Sequence, residues 1–181
     1  MVFLLKMAKT HRYWKSVWLA LGLLLLLASA CTSTSPTHGQ WYPGGPLAIN
    51  IQELLRVPEF HFQRDELNYS VIRPEEGNEL VALHLLVRNR EADRLYMTVD
   101  DQSVELRGFD DDKYLPLDYT VRGAKLEGDP DLGIRFEPFI WGKIELPKDY
   151  QVDGWLIFEV PKGTKFRQLK WVTNGPVYID L

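Results

Sequence analysis

The residues able to do chemistry are few and scattered along the chain. Histidines stand at 11, 38, 61 and 84, the single cysteine is Cys31, and Asp110, Asp111 and Asp112 form an acidic run. A calcium loop needs oxygens at fixed spacing around a glycine-enabled bend, but FDDDKY has neither the glycine nor the distal carboxylate, and GDPDLG at 128–133 is no closer. His61 and His84 have no paired histidine spacing and no cysteine partner, so no zinc site is expected. Met97 and two distant histidines do not make a soft copper site. The chain has no G-x-S-x-G elbow and no H-E-x-x-H. No metal, cofactor or catalytic residue is therefore expected. The alternative is a carbohydrate-acting or other enzyme, because carboxylates are plentiful and a sequence does not show which two converge.

Cys31 has a different meaning. Lys6, Lys9, Arg12 and Lys15 precede the apolar stretch from Val17 to Ala28, and the run LLLLLASAC at 23–31 ends on the cysteine. That stretch falls short of the about 20 residues a helix needs to cross a hydrocarbon core, and it ends in the small residues a signal peptidase requires. The segment resembles the bacterial lipoprotein precursors, in which a short lipobox precedes a cysteine that receives diacylglycerol on its sulfur. Here the box is Ala28-Ser29-Ala30-Cys31, with Ala28 where that family prefers leucine. The resemblance implies a signal peptide over 1–30, lipidation of Cys31 and anchoring in the bacterial cell envelope, on the extracytoplasmic side of a membrane. Ala28-Ser29-Ala30 also fits the small-x-small pattern of ordinary secretion, which cuts the same bond and leaves a free thiol. A lone cysteine in an exported chain has no disulfide partner, and a thioether to lipid accounts for it.

The leader carries four of the 21 Lys and Arg residues and none of the 25 Asp and Glu, so cleavage leaves 151 residues with a formal charge of −8. That length suits one domain with a self-sufficient core. An acidic surface without a local basic cluster disfavours nucleic acid as a partner. Residues 31–46 run CTSTSPTHGQWYPGGP, small and polar enough to read as the lipidated cysteine and a flexible tether. Trp41 and Tyr42 near its end either dock on the domain or rest at the lipid interface, and docking is the simpler reading.

From residue 47 to 181 the pattern becomes short runs of period two separated by Gly, Pro, Asn and Asp, the mark of an antiparallel sheet. In Glu79 to Asn89, Val81, Leu83, Leu85 and Val87 share one face, while Leu80, Ala82, His84, Leu86 and Arg88 share the other, as in a central strand apolar on both sides near its start. His84, on the less apolar face, reads as a partly covered, hydrogen-bonded residue rather than a ligand. Gln102 to Arg107, Gly154 to Val160, Leu169 to Trp171 and Val177 to Ile179 repeat the alternation. Further strands are expected at 47–55, 66–73, 95–99, 114–117 and 143–146. Ile51, Leu54 and Leu55 also suit a helical face, so 49–56 has a helical rival.

The order LVALHLLVRN, LYMTV, VELRGFDDDKY, GKIELP and GWLIFEVPKG, over residues 79 to 172, resembles the bacterial telokin-like, immunoglobulin-like extracellular family, many of whose members are lipoproteins. The resemblance implies an all-β, immunoglobulin-like antiparallel sandwich and no reaction, since fold does not carry function. By the residues alone, Gly154 turns the chain into a strand and Pro161 ends it. Asn89 and the Asp110–Asp112 run read as turn residues.

The candidate binding residues are aromatic. In RFEPFIWGK at 135–143, Phe136, Phe139, Ile140 and Trp141 crowd between turns, either as a stacking platform or as a plug for the open end of the sandwich, with the plug favoured. Trp155 and Ile157 point opposite to Leu156 and Phe158 and mark an interface if left uncovered. The expectation is a membrane-anchored adhesion, binding or envelope-assembly module with an envelope protein or a glycan as partner.

Overall fold

Neither apolar set of the strand at 79–89 can be left in water, so this strand needs cover on both faces, and the molecule is arranged around that need. The computed structural model describes residues 37–66 and 68–181; the leader and Cys31 lie outside the described residues. The strands are β1 (Trp41–Gly44), β2 (Leu47–Val57), β3 (Phe60–Asp65), β4 (Asn68–Ile72), β5 (Asn78–Asn89), β6 (Arg94–Val99) and β7 (Val104–Gly108). They continue with β8 (Lys113–Tyr114), β9 (Ala124–Lys125), β10 (Gly142–Pro147), β11 (Gln151–Pro161), β12 (Phe166–Trp171) and β13 (Val177–Asp180). One helical turn, α1 (Tyr119–Arg122), is capped by the Asp118 carboxylate, which accepts from Thr120 N.

The central sheet has the order β1-β2-β5-β11, and every pair in it is antiparallel. Its inward set, including Ile49, Ile51, Val81, Leu83, Leu85, Leu156 and Phe158, meets the sheets β13-β12-β7-β8 and β10-β6 in the larger core. The first contributes Val104, Leu106, Leu169, Trp171 and Ile179 and the second Leu95, Met97, Val99 and Leu146, with Trp171 fully buried and its indole N–H donating to Thr173 O at 2.8 Å. The outward set begins with Leu80, Ala82 and Ile157, which pack on Phe60, Phe62 and Ile72 of the small sheet β3-β4-β9 to form a second core. The fold is thus an all-β antiparallel sandwich, as expected, with a small third layer on the outside of its central sheet. Among the described residues no helix is long and apolar enough to cross a membrane.

Two expectations are corrected, and the strand expected at 47–55 holds against its helical rival. The tether does not extend to Pro46: Thr37 Oγ1 donates to Asp180 O at 2.8 Å, and Trp41–Gly44 is the edge strand of the central sheet, held by backbone pairing and by Tyr42 packed on the larger core. The helical rival at 49–56 is strand throughout, with a bulge between Ile51 and Glu53. The inserted residue shifts the apolar phase, so that Leu54 falls on the larger core and Leu55 on the second, which imitates helical spacing. The strand expected at 114–117 is only the pair Lys113–Tyr114, followed by an isolated bridge from Pro116 to Phe158.

Asn89 does more than turn the chain. It is fully buried, its Nδ2 donates to Ala92 O at 2.7 Å and Leu146 O at 2.9 Å, and its Oδ1 accepts from Ala92 N at 3.1 Å. One amide thereby joins the end of β5, the turn into β6 and the end of β10. Asn89→Ala strands these buried backbone groups and is expected to lower stability by about 2–4 kcal/mol. Urea denaturation should show a lower midpoint at unchanged slope, and an unmoved midpoint would refute the role.

Candidate functional site

The loop at 135–143 lies along the β11 edge of the central sheet, not at an open end of the sandwich. Trp155 N donates to Pro138 O at 2.9 Å and Ile140 N donates to Trp155 O at 3.1 Å, so the loop supplies a short parallel partner to the edge strand. Gly154 permits the approach. It sits inside β11, and a Cβ there would stand 2.6 Å from Pro138 O and 3.0 Å from Ile140 Cγ1. Its role is close backbone contact, not the turn expected from the sequence.

From this edge the loop feeds both cores. Ile140 is fully buried in the larger one, and Trp141 packs half-buried against it. Phe136 stacks on Phe60 at 4.8 Å between ring centres and meets Trp155 edge-on at 4.7 Å. Phe139 lies flat on Tyr119 at 3.9 Å and edge-on to Phe62 at 5.5 Å. Burial, then the neighbouring Asp118 charge, holds the Tyr119 phenol above its ordinary value, so it stays neutral. The four aromatic residues singled out in the sequence, Phe136, Phe139, Trp141 and Trp155, are therefore brought together, chiefly as the cover of the central sheet. Ile157 is buried beneath them.

The cover stops at Trp155. Its outer ring face carries the His84 imidazole, stacked at 4.4 Å and 9° between planes, and His84 Nε2 lies 2.5 Å from Asp153 Oδ1. His61 is buried with both nitrogens engaged: Nδ1 accepts from Asp131 N at 3.0 Å, which puts the proton on Nε2 facing Glu59 Oε1 at 3.1 Å. In the Asp110–Asp112 turn, Asp111 takes a positive φ of 65° and its carboxylate pairs with Arg167.

Beyond Trp155 and His84 the third layer no longer covers the outward face of the central sheet, although Ala48 and Asn50 stay buried among their neighbours. Strand pairing sets two rows across it, Trp41, Asn50, Leu86 and Asp153 in one and Pro43, Ala48, Arg88 and Gln151 in the next. Short Ala48 between Pro43 and Arg88 leaves a depression of about 420 Å³ lined by Trp41, Pro43, Ala48, Arg88, Arg90 and Asp149. Trp41 is 40% exposed there. Arg88 Nη2 reaches Asp149 Oδ1 only at 3.4 Å, and its Nε, shielded from solvent, donates to nothing. Among the described residues Arg90 forms no ion pair. The sequence reading missed Arg88, Arg90 and Ala48 as site residues. The available signal was the loss of apolar character along one strand face, from Leu80 and Ala82 to His84 and Arg88.

The carboxyl groups whose ionisation is displaced all titrate below their ordinary range. Burial works against the Glu105 and Glu159 charges, but Arg107 and Lys170 outweigh it for the first, and Asn78, the Glu75 N–H and Arg122 for the second. Ser103 and the Gln102 N–H hold Asp100 down.

A folded-state pKa below the unfolded one gives stability that is complete above the unfolded value and is lost as pH falls through the folded value. Melting temperature is therefore expected to drop from about pH 5 to pH 3, with a shallower drop in Glu159→Gln; an identical profile would refute the linkage. Gly154→Ala is expected to cost about 1–3 kcal/mol by pushing the loop off β11. Limited proteolysis within 135–141 should then quicken, and unchanged protection and melting would overturn the close-contact role.

No protein-family model and no curated protein sequence matches the chain. Among solved structures it is similar to the yjhA protein of Bacillus subtilis, at 16% identity and TM-score 0.49 over 75% of this chain and 80% of that one. It is similar to an uncharacterized beta-sandwich protein of Clostridium difficile 630, at 12% identity and TM-score 0.46 over 80% and 91% of the two chains. It is also similar to ycdA of Bacillus subtilis, described as a "putative lipoprotein", at 16% identity and TM-score 0.47 over 77% of this chain. The chain spans 38% of the length of ycdA. The sandwich itself is read from the strands and cores above.

Proposed function

We propose that the chain is a lipid-anchored bacterial envelope protein whose extracytoplasmic β-sandwich is a non-catalytic binding module, and that the open half of the central sheet's outward face is its binding surface. The observation that carries this reading is the abrupt end of the third layer. The aromatic cover seals Leu80, Ala82 and Ile157 and then gives way to His84, Leu86 and Arg88 on the same strand face, with an exposed tryptophan at the sheet edge. A rigid sheet floor with polar groups between aromatic side chains suits recognition. The lipobox-like Ala28-Ser29-Ala30-Cys31 supports the anchor.

In cells supplied with a clickable palmitate analogue, the wild-type chain should be labelled and sediment with membranes, while Cys31→Ala is unlabelled and released. A variant that stays membrane-bound refutes the lipid anchor. A photo-crosslinking amino acid at Leu86 should give a discrete adduct in intact envelopes, and one at exposed Phe109 should not. Equal yields at both positions would refute the assigned surface.

A further inference from the structure

The geometry points to an acidic oligosaccharide as the ligand of the open half-face, its carboxylate or phosphate held by Arg88 and Arg90 and its sugar ring laid on Trp41. This rests on the binding-module reading and names its ligand class. Guanidinium groups bind planar or tetrahedral oxyanions through paired N–H donors. Arg88 has most of its donors unspent: one long contact to Asp149 and a shielded Nε that donates to nothing. The shielded Nε is out of reach of a ligand, but the Arg88 side chain is 43% exposed, and its terminal nitrogens are the donors an oxyanion can meet. Arg90, two residues on, adds a second positive charge against the single carboxylate of Asp149 in the depression. The depression is cationic although the chain beyond the leader is strongly acidic, and with Asp153 on the adjoining row the half-face as a whole is neutral, so the anionic group belongs at the Arg88–Arg90 end. A free phosphate would use the arginines alone and leave the exposed indole of Trp41 idle.

The shape favours a chain of sugars over a single small anion. Trp41 stands at the β1 edge of a sheet in the order β1-β2-β5-β11, and its indole is the one that can take a sugar ring, because Trp155 at the opposite edge already carries His84 on its outer face. Three strand spacings put the β1 and β11 edges about 14 Å apart across the floor. Across this width Gln52 Nε2 donates to the buried Asn50 Oδ1 at 2.7 Å, and Asp153 stands exposed on β11. Aromatic faces pack on the C–H faces of sugar rings, and amides and carboxylates exchange hydrogen bonds with hydroxyls.

The test is isothermal titration of the full-length chain in detergent micelles with trigalacturonate, the neutral trisaccharide maltotriose, inorganic phosphate, and phosphatidylglycerol vesicles. Trigalacturonate should bind with Kd below about 1 mM, with maltotriose and phosphate at least tenfold weaker. Arg88→Gln and Trp41→Ala should each weaken it at least tenfold, and the exposed Arg90→Gln severalfold. Arg94→Gln, the same charge change away from the site, should leave affinity unchanged, with circular dichroism confirming that each variant is folded. The ligand class is overturned by no heat up to about 10 mM, by equal affinity for maltotriose, by equal effects of Arg88→Gln and Arg94→Gln, or by Arg88-dependent binding of the vesicles alone. A discrete Leu86 crosslink alongside a null titration would refute the saccharide and leave the module reading standing; loss of that crosslink would refute the module reading itself.

Discussion

The molecule depends on one constraint: β5 and β11 carry apolar side chains on both faces, and a sheet that is apolar on both faces must be covered twice. Two flanking sheets supply the inner cover. The outer cover is assembled from smaller pieces, the β3-β4-β9 sheet, the α1 turn and the loop at 135–143, which together bury Leu80, Ala82 and Ile157. Each buried large side chain contributes about 1.5–3 kcal/mol, so Phe60, Phe62 and Phe136 make the third layer a substantial part of the fold. Gly154 and the aromatic stacks follow from the same requirement, because a thin cover is effective only when it lies in close contact.

Buried polar groups tie these pieces together. Asn89 joins three segments through one amide, and His61 uses both ring nitrogens to fix the β3 strand to the 131–135 segment and to Glu59. Glu159 collects Asn78, the Glu75 N–H and Arg122, linking the turn before β5 and the α1 turn to β11. Each of these groups would be costly if left unpaired, so each penalises any arrangement in which a loop leaves its sheet. These contacts tie the loops to the strands they cross.

Much of the sheet was legible in the sequence, because period two survives wherever a strand has a simple two-sided environment. β5, β7, β11 and β13 read directly, and the doubly apolar start of β5 already announced a central strand. The helical ambiguity in β2 came from a bulge, which no count of alternation resolves. β1 was hidden because its Pro and Gly residues imitate a tether, and β3 because its apolar positions end at Phe60 and Phe62 and the polar run Gln63–Asp65 follows. The aromatic loop was recognisable as a plug, but which surface it plugs depends on long-range pairing with Trp155. Ala48 and Arg88 became site residues only through cross-strand register, since the depression exists only where a small residue on one strand falls beside an arginine on the next.

The boundary between covered and open sheet is encoded along a single strand face. Moving along β5, the outward residues change from Leu80 and Ala82 through His84 to Leu86 and Arg88, and the third layer ends where the first polar side chain appears. Extending the cover would bury the Arg88 charge without a good partner, a cost that one contact at 3.4 Å to Asp149 does not offset. Shortening it would expose the Phe136 and Trp155 cluster. His84 marks the seam, its ring stacked on Trp155 and its Nε2 directed at Asp153, one side apolar and one side wet. The same sequence gradient that halts the outer layer therefore also leaves a polar floor rigidly backed by the main core.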